Sequence, residues 1–395
     1  MAFKKNIGMA SFGLFLALPL TALAADDTEE KSKTVLDASP LLSARAGGMG
    51  GAISTIADGA QAPFYNPANI GRLNEGDKGD NLLRLLHFPY AGVSANENAR
   101  KLNKDFDTQN ASESKAVSDS VLAAHAGKRQ YARANFLTGL ILGRVGLFQY
   151  EDIQIAAVKK RPEENPDSVR TSYRNLQGTG LGFSVANQKQ TIHLGAFSSY
   201  QYYSAIEQDV PYSSLSTSQG RSDLTKGATR YEGTTTNVGL TWVMANFGRP
   251  TLAVVTKNVA GAYYSLRNDQ AHPELPKSKK EKEDYTLGFS VSPRLGKQSE
   301  IHFIIEGQHL TDTQTALNKK FHTGLELNLL GHGSDALFSL RSGYNLAGLS
   351  YGASLNLALV QFEVSSYAED VGIANNHLAE NRLQAVFSVN VLDRN

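Results

Sequence analysis

The chain has 395 residues, of which 19% are charged and 41% hydrophobic, with a formal net charge of +1 and no cysteine. Without cysteine there is neither a disulfide framework nor a thiolate metal site. A near-neutral balance argues against nucleic acid or another polyanion as the main partner.

Residues 1–24 read as a secretory signal peptide: Lys4 and Lys5 make a basic start, Ile7 to Leu20 an apolar run, and Ala22-Leu23-Ala24 a small-residue cleavage site. Its removal takes away two lysines and leaves a slightly negative chain. No later stretch reaches the ~20 apolar residues that a spanning helix needs. Residues 25–40 form a charged, turn-prone lead ending at Pro40.

Leu41–Arg72 is the stretch around which the chain is organised. Gly47, Gly48, Gly50 and Gly51 lie among alanines, then come Asp58-Gly59 and Phe64-Tyr65-Asn66-Pro67. Small residues leave the backbone uncovered, so other backbone can approach it closely. The segment has too few large apolar side chains to anchor a core of its own. It reads as something thin threaded into a cavity, with Phe64 and Tyr65 placed before a rigid Asn-Pro turn. A flexible loop or a weak small-residue helix is the alternative. A phosphate-binding loop does not fit, since no Gly-Lys-Ser/Thr comes after it.

From Leu82 onward the chain becomes a series of segments of roughly ten residues that alternate apolar with small or polar side chains, the mark of two-faced strands. Phe321–Leu330 sets Phe321, Leu325, Leu327 and Leu329 against His322, Gly324, Glu326 and Asn328. Leu349–Leu359 and Arg382–Leu392 repeat the scheme. With segments starting near Leu82, Tyr131, Val145, Thr171, Thr191, Arg230, Thr251, Asp284, Ile301, Ala336 and Val360, about fourteen strands result, within the even-numbered range of outer-membrane barrels.

A soluble sandwich or propeller also alternates, so the connections arbitrate. Every second connection is short, as at Gly143-Arg144, Asn187–Gln190, Phe247–Pro250, Gly296–Ser299 and Gly331–Ser334. Most of the others are long. Short periplasmic turns and longer outer loops are what a transmembrane barrel shows. Tyr131, Tyr150, Tyr173, Tyr200, Tyr202, Tyr203, Tyr263, Tyr264, Tyr285 and Tyr367 fall near predicted strand ends and are expected as an interfacial girdle. The insertion 96–130 has helical spacing at Leu102/Phe106 and Val117/Val121/Ala124.

The domain reading is a signal peptide at 1–24, a lead and lumenal hatch at 25–80, and a barrel at 81–395 with the helical insertion at 96–130. Glu306, Glu326, Arg341 and Glu363 are predicted to point into the lumen, where paired charges are ordinary. The nine histidines show no metal-ligand spacing, no Gly-x-Ser-x-Gly elbow occurs, and neither an enzyme nor a cofactor is expected. In Gly178–Ala186 the face made by Gly178, Gly180, Gly182 and Ser184 is nearly bare backbone. It is read either as a bend or as a wall for Ala44–Ala60.

Ala44-Arg45-Ala46-Gly47-Gly48-Met49-Gly50-Gly51-Ala52, Ala57-Asp58-Gly59-Ala60 and Phe64-Tyr65-Asn66-Pro67-Ala68 resemble the N-terminal signature of FadL-like outer-membrane proteins. That superfamily includes fatty-acid and hydrocarbon transporters, PorV-like proteins and a TraF-like group associated with conjugation. Arg341-Ser342-Gly343-Tyr344-Asn345 and Ser350-Tyr351-Gly352-Ala353 resemble its penultimate hairpins. The long insertion after the first strand is closer to the TraF-like group, and the C-terminus lacks the usual aromatic residue. The resemblance implies a fourteen-stranded barrel in the outer membrane of a Gram-negative bacterium, with an N-terminal hatch inside and assembly by the barrel-assembly machinery. It implies one of two functions: passive uptake of hydrophobic small molecules past the hatch, or a non-transporting scaffold for a secretion or conjugation partner. Membrane lipid is a contact in either case.

Overall fold

The computed structural model describes residues 43–72 and 83–392, apart from 110–114, 160–167, 212–226, 246, 268–277, 314–315, 334–335, 358 and 373–376. The signal-peptide and lead readings, with Leu41 and Leu42 of the glycine-rich stretch, lie outside the described residues.

The strands are β1 (Leu83–Asn96), β2 (Arg129–Leu142), β3 (Val145–Lys159), β4 (Ser168–Ala186), β5 (Ile192–Pro211), β6 (Thr229–Val243), β7 (Thr251–Lys257), β8 (Ala262–Leu266), β9 (Ser278–Glu281), β10 (Asp284–Val291), β11 (Ser299–Gly307), β12 (Phe321–Leu329), β13 (Phe338–Asn345), β14 (Gly348–Leu357), β15 (Val360–Asp370) and β16 (Ala379–Leu392). Each pairs antiparallel with its neighbours, and β16 returns to β1 over Leu85↔Leu392 to Asn96↔Arg382. β8 and β9 prolong β7 and β10 beyond a break at Asn258 and Ala260, both in the left-handed region. The wall is therefore a closed barrel of fourteen staves, the number expected from the alternation.

Period-2 patterning decides which way each strand faces. On β12, Phe321 and Leu325 are exposed while Gly324, Glu326 and Asn328 are buried. On β14, Tyr351, Leu355 and Leu357 face out and Ser350, Ser354 and Asn356 face in. An apolar exterior around a polar interior is the arrangement of a barrel whose solvent is lipid. Open edges are intolerable there, and the β1–β16 seam removes them.

The barrel is lopsided. β4 and β5 have 19 and 20 residues, β10 and β13 only 8 each. Since a tilted spanning strand needs ~9–11 residues, the β3–β6 wall rises beyond the bilayer on the long-loop side. The insertion after β1 forms α3 (Glu97–Thr108) and α4 (Lys115–Ala124), as its spacing predicts. Asn96 caps α3, its side chain accepting from Ala99 N at 2.8 Å. His125, just past α4, meets Asp105 of α3 at 2.9 Å.

The tyrosine expectation needs correction. Tyr200, Tyr202, Tyr263 and Tyr285 are exposed on the outer wall, but Tyr131, Tyr150, Tyr264 and Tyr367 are buried and turned inward. Strand-end position alone cannot distinguish the two faces; parity along each strand does. Tyr344, near the end of β13, and Tyr351, within β14, join the outward set.

Candidate functional site

Residues 43–72 lie inside the barrel and pack on its inner wall. The segment is a chain of short turns: α1 (Ala44–Gly48), a 3-10 turn at Gly59–Gln61, α2 (Ala62–Tyr65) and a second 3-10 turn at Pro67–Asn69. Ser43 starts α1, its hydroxyl accepting from Ala46 N at 2.9 Å. Alanine and glycine make the segment thin, and Met49, Ile53, Phe64 and Ile70 are the large apolar side chains that it buries.

Glycines on both sides allow this approach. A Cβ on Gly48 would stand 2.9 Å from Gly352 Cα, and one on Gly343 would collide with the Met49 carbonyl. Gly50, at φ +61°, would meet Tyr344 N at 2.8 Å. The Gly51 carbonyl accepts from Gln308 Nε2 at 2.9 Å, and the Gly50 carbonyl accepts from His322 Nδ1 at 2.6 Å. All four predicted hatch glycines thus lie along β12–β15. The β4 glycine face, read either as a bend or as a wall for Ala44–Ala60, does not receive them. Gly178 and Gly180 are covered by Tyr150 and Phe197 from neighbouring strands, and Gly182 by Ile70 and Phe197. The reason is volume: aromatic rings on β3 and β5 fill the space those glycines leave.

The four predicted lumenal charges all point inward and are buried. Three of them, Glu326, Arg341 and Glu363, form one network with Arg45, which the sequence reading did not select. Arg45 donates from Nε and Nη2 to the two Glu326 oxygens at 2.8 and 2.7 Å, and from Nη1 to Asp58 at 2.7 Å. Arg341 donates to Glu326 Oε2 at 2.7 Å, to Glu363 at 3.2 Å and to Ser354 at 3.0 Å. Burial opposes the charge on Arg45, but Glu326 and Asp58 outweigh it and hold the guanidinium above the ordinary arginine range. The available signal was that Arg45 is one of only three charged residues in Leu41–Arg72, the others being Asp58 and Arg72. Glu306 stands apart, accepting from Ser54 N at 2.8 Å and Gln308 Nε2 at 2.7 Å.

The Asn66-Pro67 turn is a second anchor. Asn66 Nδ2 donates to Ser54 O at 2.9 Å and to Thr241 Oγ1 at 2.8 Å, and its Oδ1 accepts from Ala68 N at 3.1 Å. Thr241 in turn donates to Asn69 Oδ1 at 2.9 Å. Pro67 supplies the fixed φ of the first turn position. Phe64 packs edge-on against Tyr150 and Phe197, with centroids 5.0 and 5.5 Å apart, while the Tyr65 hydroxyl accepts from Ser43 N at 3.3 Å. Gly71 N donates to Ser184 Oγ at 3.0 Å near the short-turn end of β4. Burial lowers the Arg72 guanidinium to about 10, with Asp58 opposing it.

On the long-loop side of the segment lies a cavity of about 520 Å³. Phe64, Tyr65, Leu176, Tyr203 and Tyr264 give it an aromatic and apolar side; Gln201, Asn237, Glu306 and Gln308 are among its polar lining. Tyr264 donates to Gln201 at 2.7 Å, and Gln201 donates to Tyr150 at 2.6 Å, so the tyrosine hydroxyls are satisfied within the wall. Among the described residues no group of three or more His, Asp or Glu side chains is placed to hold a metal ion.

No family model matches the chain, and no curated protein matches it. Among solved structures it is similar to the Pseudomonas putida toluene transporter TodX (11% identity over 90% of this chain and 100% of that one, TM-score 0.48). It is also similar to the Ralstonia pickettii toluene transporter TbuX (11%, 90% and 99%, TM-score 0.46) and to a Pseudomonas aeruginosa FadL homologue (11%, 89% and 98%, TM-score 0.43). These are likenesses of overall architecture alone. The barrel itself rests on the strand pairing described above.

Proposed function

We propose that the protein is an outer-membrane channel whose lumen is closed by its own N-terminal segment and which admits small hydrophobic molecules passively. The observation that carries this reading is the pairing of a thin segment, pinned at a few polar points, with a cavity directly on its long-loop side. A solute lodged against Phe64, Leu176, Tyr203 and Tyr264 touches the part of the segment that must move for it to pass. Apolar contact supplies affinity, and the polar remainder of the lining selects for orientation. Nothing in the arrangement supplies work, so flow runs down the gradient.

The test is planar-bilayer recording. The intact protein is expected to conduct poorly, and deletion of residues 41–70 to open a steady ion pathway. A folded deletion protein that conducts no better than the parent would remove the segment from the gating role.

A second reading, a non-transporting scaffold for a secretion or conjugation partner, is favoured by the exposed α3–α4 insertion. Asn96 and Asn98 tie its base to Arg129 O at 2.8 and 3.0 Å. A co-purifying protein lost on trimming this insertion, with no solute uptake, would support it.

A further inference from the structure

Glu306, which stands apart from the Arg45 network, belongs to a clamp on the lumenal segment. It lies on the inner face of β11. Gln308, two residues on, keeps that face, since its N donates to Lys320 O at 2.9 Å and prolongs the pairing with β12. Glu306 Oε2 accepts from Ser54 N at 2.8 Å, while Gln308 Nε2 donates to Gly51 O at 2.9 Å and to Glu306 Oε1 at 2.7 Å. Two joined side chains thus grip both ends of the turn 51–54. Gly288 on β10 makes room for it, since a Cβ there would collide with the Ser54 hydroxyl. Ser54 O also accepts from Asn66 at 2.9 Å, so the clamp reaches the second anchor.

The clamp is part of the lining of the cavity of about 520 Å³. Gly50, Gly51, Glu306, Gln308 and His322 give that side a row of hydrogen-bonding groups. Across the lumen, toward β4 and β5, Phe64, Leu176 and Tyr203 give it an apolar and aromatic side. Gln308 is half-buried and Glu306 buried, so the amide is the member a solute meets first.

We propose that this cavity is a site for a small neutral aromatic molecule bearing a hydroxyl group, its ring on Phe64, Leu176 and Tyr203 and its hydroxyl on Gln308. The inference rests on the channel reading for its site. A hydroxyl both accepts and donates. It can take the amide hydrogen that Gln308 gives to Gly51 O, and give its own to Glu306 in place of Ser54 N. One group therefore substitutes for both bonds that hold the turn, whereas a hydrocarbon offers neither. A carboxylate only accepts, and the charge of Glu306 repels it. Arg174, Lys257 and Lys282 in the same lining pull the other way, so a carboxylate is one arm of the experiment.

The test is calorimetric titration of the full chain in phosphatidylcholine nanodiscs, with empty discs subtracted. The probes are 4-ethylphenol, ethylbenzene and 4-ethylbenzoate, which share one shape and differ in head group. Saturable binding of 4-ethylphenol is expected, roughly tenfold tighter than that of ethylbenzene, with 4-ethylbenzoate weaker than the phenol. Gln308→Met, which keeps the length but loses the amide, should abolish the preference of phenol over hydrocarbon. Ser290→Ala, at a buried inward position outside the cavity lining, should retain it. The comparison of probes on the parent protein stands even where the Gln308 variant fails to assemble. Ethylbenzene binding as tightly as the phenol would overturn the proposal. So would tightest binding of 4-ethylbenzoate, or a preference that survives Gln308→Met. Planar-bilayer current in saturating 4-ethylphenol separates the two ideas: preferred binding without a rise in current would uphold the ligand class and count against the channel reading.

Discussion

Arg45 and Glu326 face each other as a bidentate pair, 281 residues apart in sequence and both nearly inaccessible to solvent. This pair is the principal ionic link between the lumenal segment and the barrel wall. Removing one partner of a buried pair strands the other charge, at a cost of about 3–5 kcal/mol. Arg45→Ala is therefore expected to release α1 and raise conductance in planar bilayers, with the barrel still folded as judged by heat-shifted migration in SDS. Arg45→Met combined with Glu326→Gln should recover part of the closure, because no buried carboxylate then lacks Arg45 while the amide oxygen still accepts from Arg341. If Arg45→Ala conducts no more than the parent, the pair does not hold the segment.

The glycine seam should be equally sensitive to volume. Gly48→Leu and Gly343→Leu each drive a side chain into backbone across the seam, and overpacking of this kind costs typically ~1–3 kcal/mol. Increased conductance with unchanged barrel yield is expected. Gly307→Ala serves as the control, since its φ is not positive and the nearest atoms to a Cβ there belong to the flexible Leu310 side chain, at 3.2 Å and beyond. Equal effects at all three positions would argue against close packing as the cause.

Asn66→Ala removes a side chain that bonds Ser54, Thr241 and Ala68 at once. Combined with Pro67→Ala it frees the turn, and flickering current in place of a steady closed state is the expected record. Asn66→Asp should behave in the same way, because a carboxylate cannot donate to Ser54 O and Thr241. A silent Asn66→Asp variant would mean that the turn is held by packing alone.

Facing on the wall can be tested without reference to transport. Arginine at Leu355, Leu357 or Phe387, all exposed to lipid, should reduce the yield of assembled barrel, by about 2–4 kcal/mol for a site at mid-bilayer depth and less at Leu357, which ends β14 beside the short turn. The same change at Ser354, Asn356 or Ser388, which face inward, should be better tolerated. The readout is the fraction of unboiled protein that shows the shifted band, and equal loss for both sets would contradict the facing assignment.

The sequence alone determined the barrel. Strand identity is a local property here: each strand must present lipid on one face and polar contents on the other, so period 2 is written into every segment, as in Phe321–Leu329 and Leu349–Leu357. The parity of short and long connections arises from the two sides of a membrane. Gly47–Gly51 and Asn66-Pro67 were legible for the same local reason, since close approach and fixed turns demand particular residue types. Tertiary structure decided which wall the segment meets, because that depends on volume contributed by distant strands. Phe197 and Tyr150 close the β4 face, while Gly324, Gly343 and Gly352 open the β12–β14 face. It also decided the partner of Arg45, since a lumenal carboxylate on any of several strands would have satisfied the same pattern. Charge pairing across a barrel is set by register and by the depth of the inserted segment, and neither quantity is encoded near Arg45 itself.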